Sequence, residues 1–183
     1  MKIMKIIIKQ NRHLSNQIST PRFNLFGNGE VVCKVRFSKD SIYDVGGEDQ
    51  LDWCKLAAGA SWSFFPLISQ YQMHTNSSRW GYRYNVEGRY FELTPYFYSK
   101  GVRSYAETLG IKPCRLDIGV TYKLVIKPYT NYVKYEITDV FDDVIFSHTF
   151  EQYIPSINGW NAVAFFGGTK PAPNDIEYKL EYL

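Results

Sequence analysis

From Asn174 to Leu183 the chain alternates without a break, with Ile176, Tyr178, Leu180 and Tyr182 in one register and Glu177, Lys179 and Glu181 in the other. Successive side chains on an extended strand point to opposite faces, so a period of two buries one set and wets the other. A helix, with 3.6 residues per turn, cannot sort residues this way. The pattern recurs along the chain and is loaded with large rings: 15 Tyr, 12 Phe and 4 Trp among 183 residues. Aromatic and β-branched side chains suit a pleated, half-buried surface, so this sequence is committed to sheets.

Turn signals punctuate the alternation about every ten residues, at Phe26–Gly29, Gly46-Gly47, Asn85–Gly88, Lys100-Gly101, Asp139–Asp143, Asn158-Gly159, Gly167-Gly168 and Pro171–Pro173. That rhythm is the signature of a sandwich or jelly roll. Eleven strands are expected, at 3–8, 30–37, 60–67, 79–84, 89–98, 102–107, 120–127, 132–138, 143–150, 161–166 and 174–182. The one helical candidate is Glu48–Ala58, where Leu51, Cys54 and Ala58 would share a face ahead of Gly59; the alternative is a loop. The expected fold is all-β, a two-sheet antiparallel sandwich of the concanavalin-like jelly-roll type, with residues 1–183 as one domain. The N-terminal MKIMKIIIKQNRH imitates a signal peptide, but Lys5 and Lys9 interrupt the apolar run and no small-residue cleavage site follows. A strand is the better reading, with no signal peptide. No run approaches the 18 apolar residues of a membrane span.

The hairpin within 79–98 shows how the faces divide. With Asn85–Gly88 as its loop, Tyr84 faces Arg89, Tyr82 faces Phe91 and Trp80 faces Leu93 on an apolar side. The opposite side carries Arg79, Arg83, Tyr90, Glu92, Tyr96 and Tyr98. Tyr and Arg dominate interface hot spots, and flat rings also stack on sugars, so these six residues are the candidate binding platform. Arg83 and Glu92 would orient a ligand hydroxyl or pair across the strands. Trp53, Trp62 and Trp160 would join a sugar site if exposed, and the core if not.

Motifs for chemistry are missing. A retaining or inverting glycosidase needs two convergent carboxylates; Glu177 and Glu181 share a strand face, but Lys179 lies between them on what reads as a C-terminal edge strand. There is no Gly-x-Ser-x-Gly elbow and no phosphate-cradling glycine loop before a helix. The acidic run Asp40, Asp44, Glu48, Asp49 and Asp52 matches no calcium-loop spacing and reads as a solvated loop, with calcium as the alternative. Asp139, Asp142 and Asp143 read as a hairpin turn capped by Asp. Cys33, Cys54 and Cys114 form no Cys-x-x-Cys and read as packed thiols. A net charge of +3 does not supply the basic patch that nucleic acid requires. No metal, no cofactor and no catalytic residue is expected.

Gln72-Met73-His74 is similar to the Gln-x-His triplet of alginate-type polysaccharide lyases, and Tyr96–Gly101 echoes their tyrosine motif, but their Arg-x-Glu-x-Arg strand is not present around Arg89–Leu93. A wider resemblance runs through Trp53-Cys54-Lys55-Leu56, Ser61–Phe65, Asn76–Tyr84, the 89–103 hairpin and Phe165–Ile176. These segments resemble small all-β proteins of gut Bacteroidetes and their tailed phages, crAss-like phages among them. That resemblance implies a concanavalin-like jelly roll and supplies no catalytic residues. The legume-lectin quartet of metal ligands has no counterpart on the polar strand faces. The functional expectation is therefore a non-enzymatic structural or interaction module, a virion capsid or tail accessory protein, in the virion or the host cytoplasm. Its partners would be other protein chains, in a homo-oligomer or a virion assembly. A lectin-like carbohydrate-binding module is the first alternative and a jelly-roll lyase or hydrolase the second; neither nucleic acid nor membrane is an expected partner.

Overall fold

A computed structural model describes residues 3–24, 28–64 and 73–183. The strands are β1 (Ile3–Ile8), β2 (Pro21–Arg22), β3 (Val31–Phe37), β4 (Cys54–Trp62), β5 (Ser77–Asn85), β6 (Tyr90–Ser99), β7 (Val102–Ser104), β8 (Cys114–Leu116), β9 (Thr121–Pro128), β10 (Tyr132–Thr138), β11 (Val144–Glu151), β12 (Gly159–Asn161) and β13 (Ile176–Tyr182), with one short helix, α1 (Ala106–Leu109). They form two sheets. One runs β1-β13-β3-β9-β10-β11; the other runs β2-β12-β4-β5-β6-β7, with β8 also on β6. Each strand pairing is antiparallel, and the chain crosses repeatedly between the layers. The all-β two-sheet sandwich expected from the alternation is the observed architecture.

The aromatic positions meet between the layers. Phe37 of the six-stranded sheet stacks on Phe91 of the other at 4.1 Å between ring centres, and Tyr82 lies against both Phe37 and Tyr178. Farther along, Trp80 meets Tyr135 edge-on at 5.1 Å. Offset and edge-on pairs of this kind add to the burial of large apolar surfaces. In β13, Ile176, Tyr178 and Leu180 point into this core while Glu177, Lys179 and Glu181 face out. Strand β13 is an interior strand, hydrogen-bonded to β1 on one side and β3 on the other, not the edge its terminal position implied.

Other expectations are corrected. The hairpin pairs Tyr84 with Phe91, Tyr82 with Leu93 and Asn85 with Tyr90, two residues from the anticipated register. The Asn85 side chain accepts the Gly88 N–H at 2.7 Å and Arg89 takes a left-handed φ of 55°, so the loop is 86–89. A shift of two leaves every side chain on its expected face. The helical candidate Glu48–Ala58 resolves into a single 3-10 turn, Glu48–Leu51, followed by β4. Its run of small residues, Ala57-Ala58-Gly59-Ala60, is fully buried mid-sheet and covered on both sides, so packing overrides helix propensity. The start of that strand was expected at 60 and its end at 67; residues 65–67 lie outside the described residues. The strand expected at 102–107 ends at Ser104, because Tyr105 caps α1 through Thr108 Oγ1 at 2.8 Å.

Candidate functional site

The outer face of the seven-stranded sheet is not an open platform. Arg79 and Tyr96 are only 4% and 3% exposed, because chain segments wall the face in. One wall is the stretch after β12, where Phe165 exchanges both backbone hydrogen bonds with Lys55 of β4, at 2.7 and 3.0 Å. A glycine at 167 permits this approach, since a Cβ there would sit 2.2 Å from the Trp53 carbonyl oxygen. The other wall is β7 and α1, where Trp53, Tyr96 and Ala106 form a small second core with Tyr98, Tyr105 and Ile111 against it.

Arg83 fastens this second wall to the sheet. Its Nε donates to Glu92 Oε2 at 2.6 Å; Nη1 donates to Glu107 Oε1 at 2.8 Å and to the Leu51 carbonyl at 3.0 Å. Its guanidinium also lies 4.2 Å from the Trp53 ring, and Trp53 Nε1 donates to the other Glu107 oxygen at 2.8 Å. Arg83 and Glu92 thus pair across strands and clamp the wall.

Between the walls is a cleft of about 860 Å³, lined among others by Lys55, Arg79, Tyr96, Tyr98, Arg103 and Tyr105. Tyr96 is its hub. Lys55 Nζ lies 4.8 Å and the Arg79 guanidinium 5.4 Å from the Tyr96 ring centre, and Tyr105 stacks against that ring at 5.8 Å. Arg103 rests 5.1 Å over Tyr105. At the mouth, His74 meets Tyr98 edge-on at 5.2 Å. Gly81 beside these rings is tight: a Cβ would come within 3.2 Å of Tyr96.

The electrostatics of the cleft favour anions. Burial, with Arg79 and Arg103 adding like-charge repulsion, lowers the Lys55 ammonium to about 8, although Cys54 and Asp52 pull it back up. Burial pushes the Tyr96 hydroxyl up to about 12. His74 is held below its ordinary value by burial and then by Arg79, Lys55 and Arg103.

Of the six candidate platform residues, the cleft gathers Arg79, Arg83, Tyr96 and Tyr98. Glu92 lines a neighbouring hollow instead, and Tyr90 lies at the hairpin end, its ring 4.6 Å under the Arg115 guanidinium. Lys55, Arg103 and Tyr105 were missed. Lys55 fell inside the supposed helix, and β7 gave no alternation long enough to read its faces. Trp53 and Trp62 are buried and Trp160 is half-buried, with Trp53 reaching the cleft from the second core. Of the lyase-like triplet, Gln72 lies outside the described residues, while His74 lines the cleft.

The other groups singled out in sequence serve the fold. Asp49 accepts from Thr169 Oγ1 at 2.7 Å and pairs with Lys170 at 3.3 Å, and Asp44 accepts the Gly46 N–H at 2.9 Å. Among the described residues, no three His, Cys, Asp or Glu side chains converge as a metal site would require. Asp139 accepts the N–H groups of Phe141 and Asp143, at 2.8 and 3.0 Å, as a capped turn. Cys33 and Cys54 are buried and Cys114 is half-buried, all three as thiols. Among the described residues no helix is long and apolar enough to cross a membrane.

No protein-family model matches the sequence, and no curated protein matches it. Distant likenesses exist among solved structures. The SPRY domain of human HERC1 is 11% identical with a TM-score of 0.41, covering 91% of this chain and 79% of that one. The CBM2 module of the evolved Dit of Lactobacillus casei BL23 phage J-1 is 10% identical with a TM-score of 0.44, covering 90% and 67%. The enzymatically active domain of bacteriophage CBA120 tailspike protein 2 is 12% identical with a TM-score of 0.42; the match covers 98% of this chain but 28% of that one. Likenesses this remote say nothing of ligand or activity.

Proposed function

We propose that this chain is a non-enzymatic β-sandwich binding module whose ligand is a glycan, held in the cleft on the outer face of the seven-stranded sheet. The observation that carries the reading is the lining itself. Tyr96, Tyr98, Tyr105 and Phe165 stand beside Lys55, Arg79 and Arg103 around about 860 Å³. That volume lies in the range of small-ligand sites, which combine mostly apolar walls with a few fixed polar groups. A sugar presents the same combination, since its C–H face packs on rings and its hydroxyls take donors. The carboxylates in the lining are Asp52 and Glu107, and both Glu107 oxygens are engaged by Arg83 and Trp53. This supports binding over the two-carboxylate hydrolysis of glycosides.

The test is affinity electrophoresis of the pure protein through gels holding a panel of polysaccharides. Retardation by at least one glycan is expected, abolished in Tyr98→Ala and retained in Tyr90→Ala, whose ring lies away from the cleft. Unchanged mobility throughout the panel refutes the reading. An assembly role remains the second reading, supported by the exposed apolar group Val140, Phe141, Val144 and Ile145 around the β10–β11 turn, with Phe141 81% exposed. A drop in oligomeric mass in Phe141→Ser, measured by light scattering, would favour it.

A further inference from the structure

Resting on the glycan reading, we propose that the ligand is specifically a uronic-acid-bearing glycan, its carboxylate seated against Lys55 and Arg103 with Arg79 beneath. Two features of the cleft lead there. The first is the charge balance of the lining. Four cationic side chains, Lys55, Arg79, Arg83 and Arg103, face two carboxylates, Asp52 and Glu107. Arg83 is committed to Glu92 and Glu107 in short ion pairs. Among the described residues neither Lys55 nor Arg103 has a carboxylate within ion-pair distance.

The second feature is the position of Lys55. It stands half-buried in an interior strand, its backbone pinned by Phe165 on one side and paired with Gly81 on the other. Taking an ammonium out of water without a counter-ion is unfavourable, and placing it near two guanidinium groups makes it worse. Internal stability therefore does not account for it. A counter-charge arriving with a ligand does. The remaining lining suits what a uronate carries besides its charge: rings flank the cations on both sides, with Phe165 5.4 Å from Lys55 Nζ and Tyr105 under Arg103. A carboxylate bound among donors that are fixed beforehand gains charge-assisted hydrogen bonds.

The experiment compares polygalacturonate with the same polymer after carboxyl reduction, alongside a sulfated glycan and a panel of neutral polysaccharides, by affinity electrophoresis and titration calorimetry. The variants are Lys55→Met and Arg103→Gln, with Lys34→Met as a control that removes the same charge from the exposed outer face of the other sheet. Retardation by polygalacturonate, weakened roughly tenfold or more by reduction of the polymer and by either cleft variant but not by Lys34→Met, supports the proposal. Equal affinity for the acidic and reduced polymers overturns it while leaving the glycan reading intact, as does binding of neutral glycans alone. Binding of the sulfated glycan alone also overturns the carboxylate assignment. Binding weakened equally by Lys34→Met assigns the effect to net charge and overturns the site. Failure to bind any polymer defeats both readings. Thermal unfolding of each variant separates lost binding from lost fold.

Discussion

Removing the charge of Lys55 should make the protein more stable, and the size of the gain can be worked from its surroundings. Burial, reinforced by Arg79 and Arg103 against the opposing pull of Cys54 and Asp52, brings its ammonium from 10.5 in the open chain to about 8 in the fold. Below pH 8 both states carry the proton, so the folded state bears the whole penalty. At 1.36 kcal/mol per unit this is about 3 kcal/mol. Between pH 8 and 10.5 the folded protein sheds the proton that the unfolded chain keeps, and the penalty fades with rising pH. In Lys55→Met the penalty is absent, while contacts of the ammonium with Tyr96 and Phe165, worth about 1 kcal/mol together, are lost. The expected net gain is about 2 kcal/mol at pH 7, a rise in Tm of roughly 4–8 °C for a domain of this size. At pH 9.5 the gain should shrink by about half. Calorimetric unfolding of both proteins at the two pH values measures it. A variant that melts lower than the parent at pH 7, or whose gain does not change with pH, refutes the claim that Lys55 is held at a cost to the fold. Together with lost ligand retention, the gain would mark Lys55 as a residue kept for function.

Two further substitutions probe the frame of the cleft. Arg83→Gln should release α1 and the 48–53 segment from the sheet, costing about 2–4 kcal/mol because Glu92 and Glu107 lose their counter-ion; hydrogen exchange should rise at Leu51–Trp53 and Ala106–Leu109, and unchanged protection there would show that the clamp does not hold the wall. Gly59→Ala should cost about 3 kcal/mol or more, since its Cβ would stand 2.3 Å from the Ser78 carbonyl oxygen and 2.8 Å from the Arg79 Cα in the middle of a paired sheet; a urea midpoint equal to the parent's would refute the close approach of β4 to β5.

What could be read in the sequence followed from locality. Alternation is decided within a few residues, so β1 and β10 were placed to the residue, and the hairpin kept its faces despite a slipped register. Lys55 was misplaced because Leu56–Ala60 lacks polar alternation, as a strand covered on both sides must. The cleft itself depends on long-range pairings. Phe165 reaches Lys55 across more than a hundred residues, and no local pattern announces that contact. Arg79, Arg83, Tyr96 and Tyr98 follow from how the 79–98 hairpin divides its faces, but only the walls turn them from a surface into a pocket. Tyr90 and Glu92 share their strand face and fall outside the pocket, Glu92 engaged by Arg83 and Tyr90 lying under Arg115.

The position of β13 has a consequence for how the chain reaches its fold. Ile3–Ile8 and Val31–Phe37 do not touch as strands; each waits for Ile176–Tyr182 to come between them. During synthesis β1 emerges ahead of the other strands of its sheet, and its only strand partner among the described residues comes more than 160 residues later. Until then β1 presents an unpaired edge with Ile6 and Ile8 exposed, a segment that invites association with other nascent chains. Contacts this distant in sequence slow folding, so the six-stranded sheet should close as a late, all-or-none insertion of one strand. Lys5 interrupts the apolar run of β1 and Lys9 follows its last residue, and they finish in ion pairs with Glu177 and Asp175. The same two charges that guard the waiting strand against the wrong neighbour thus help to select the right one.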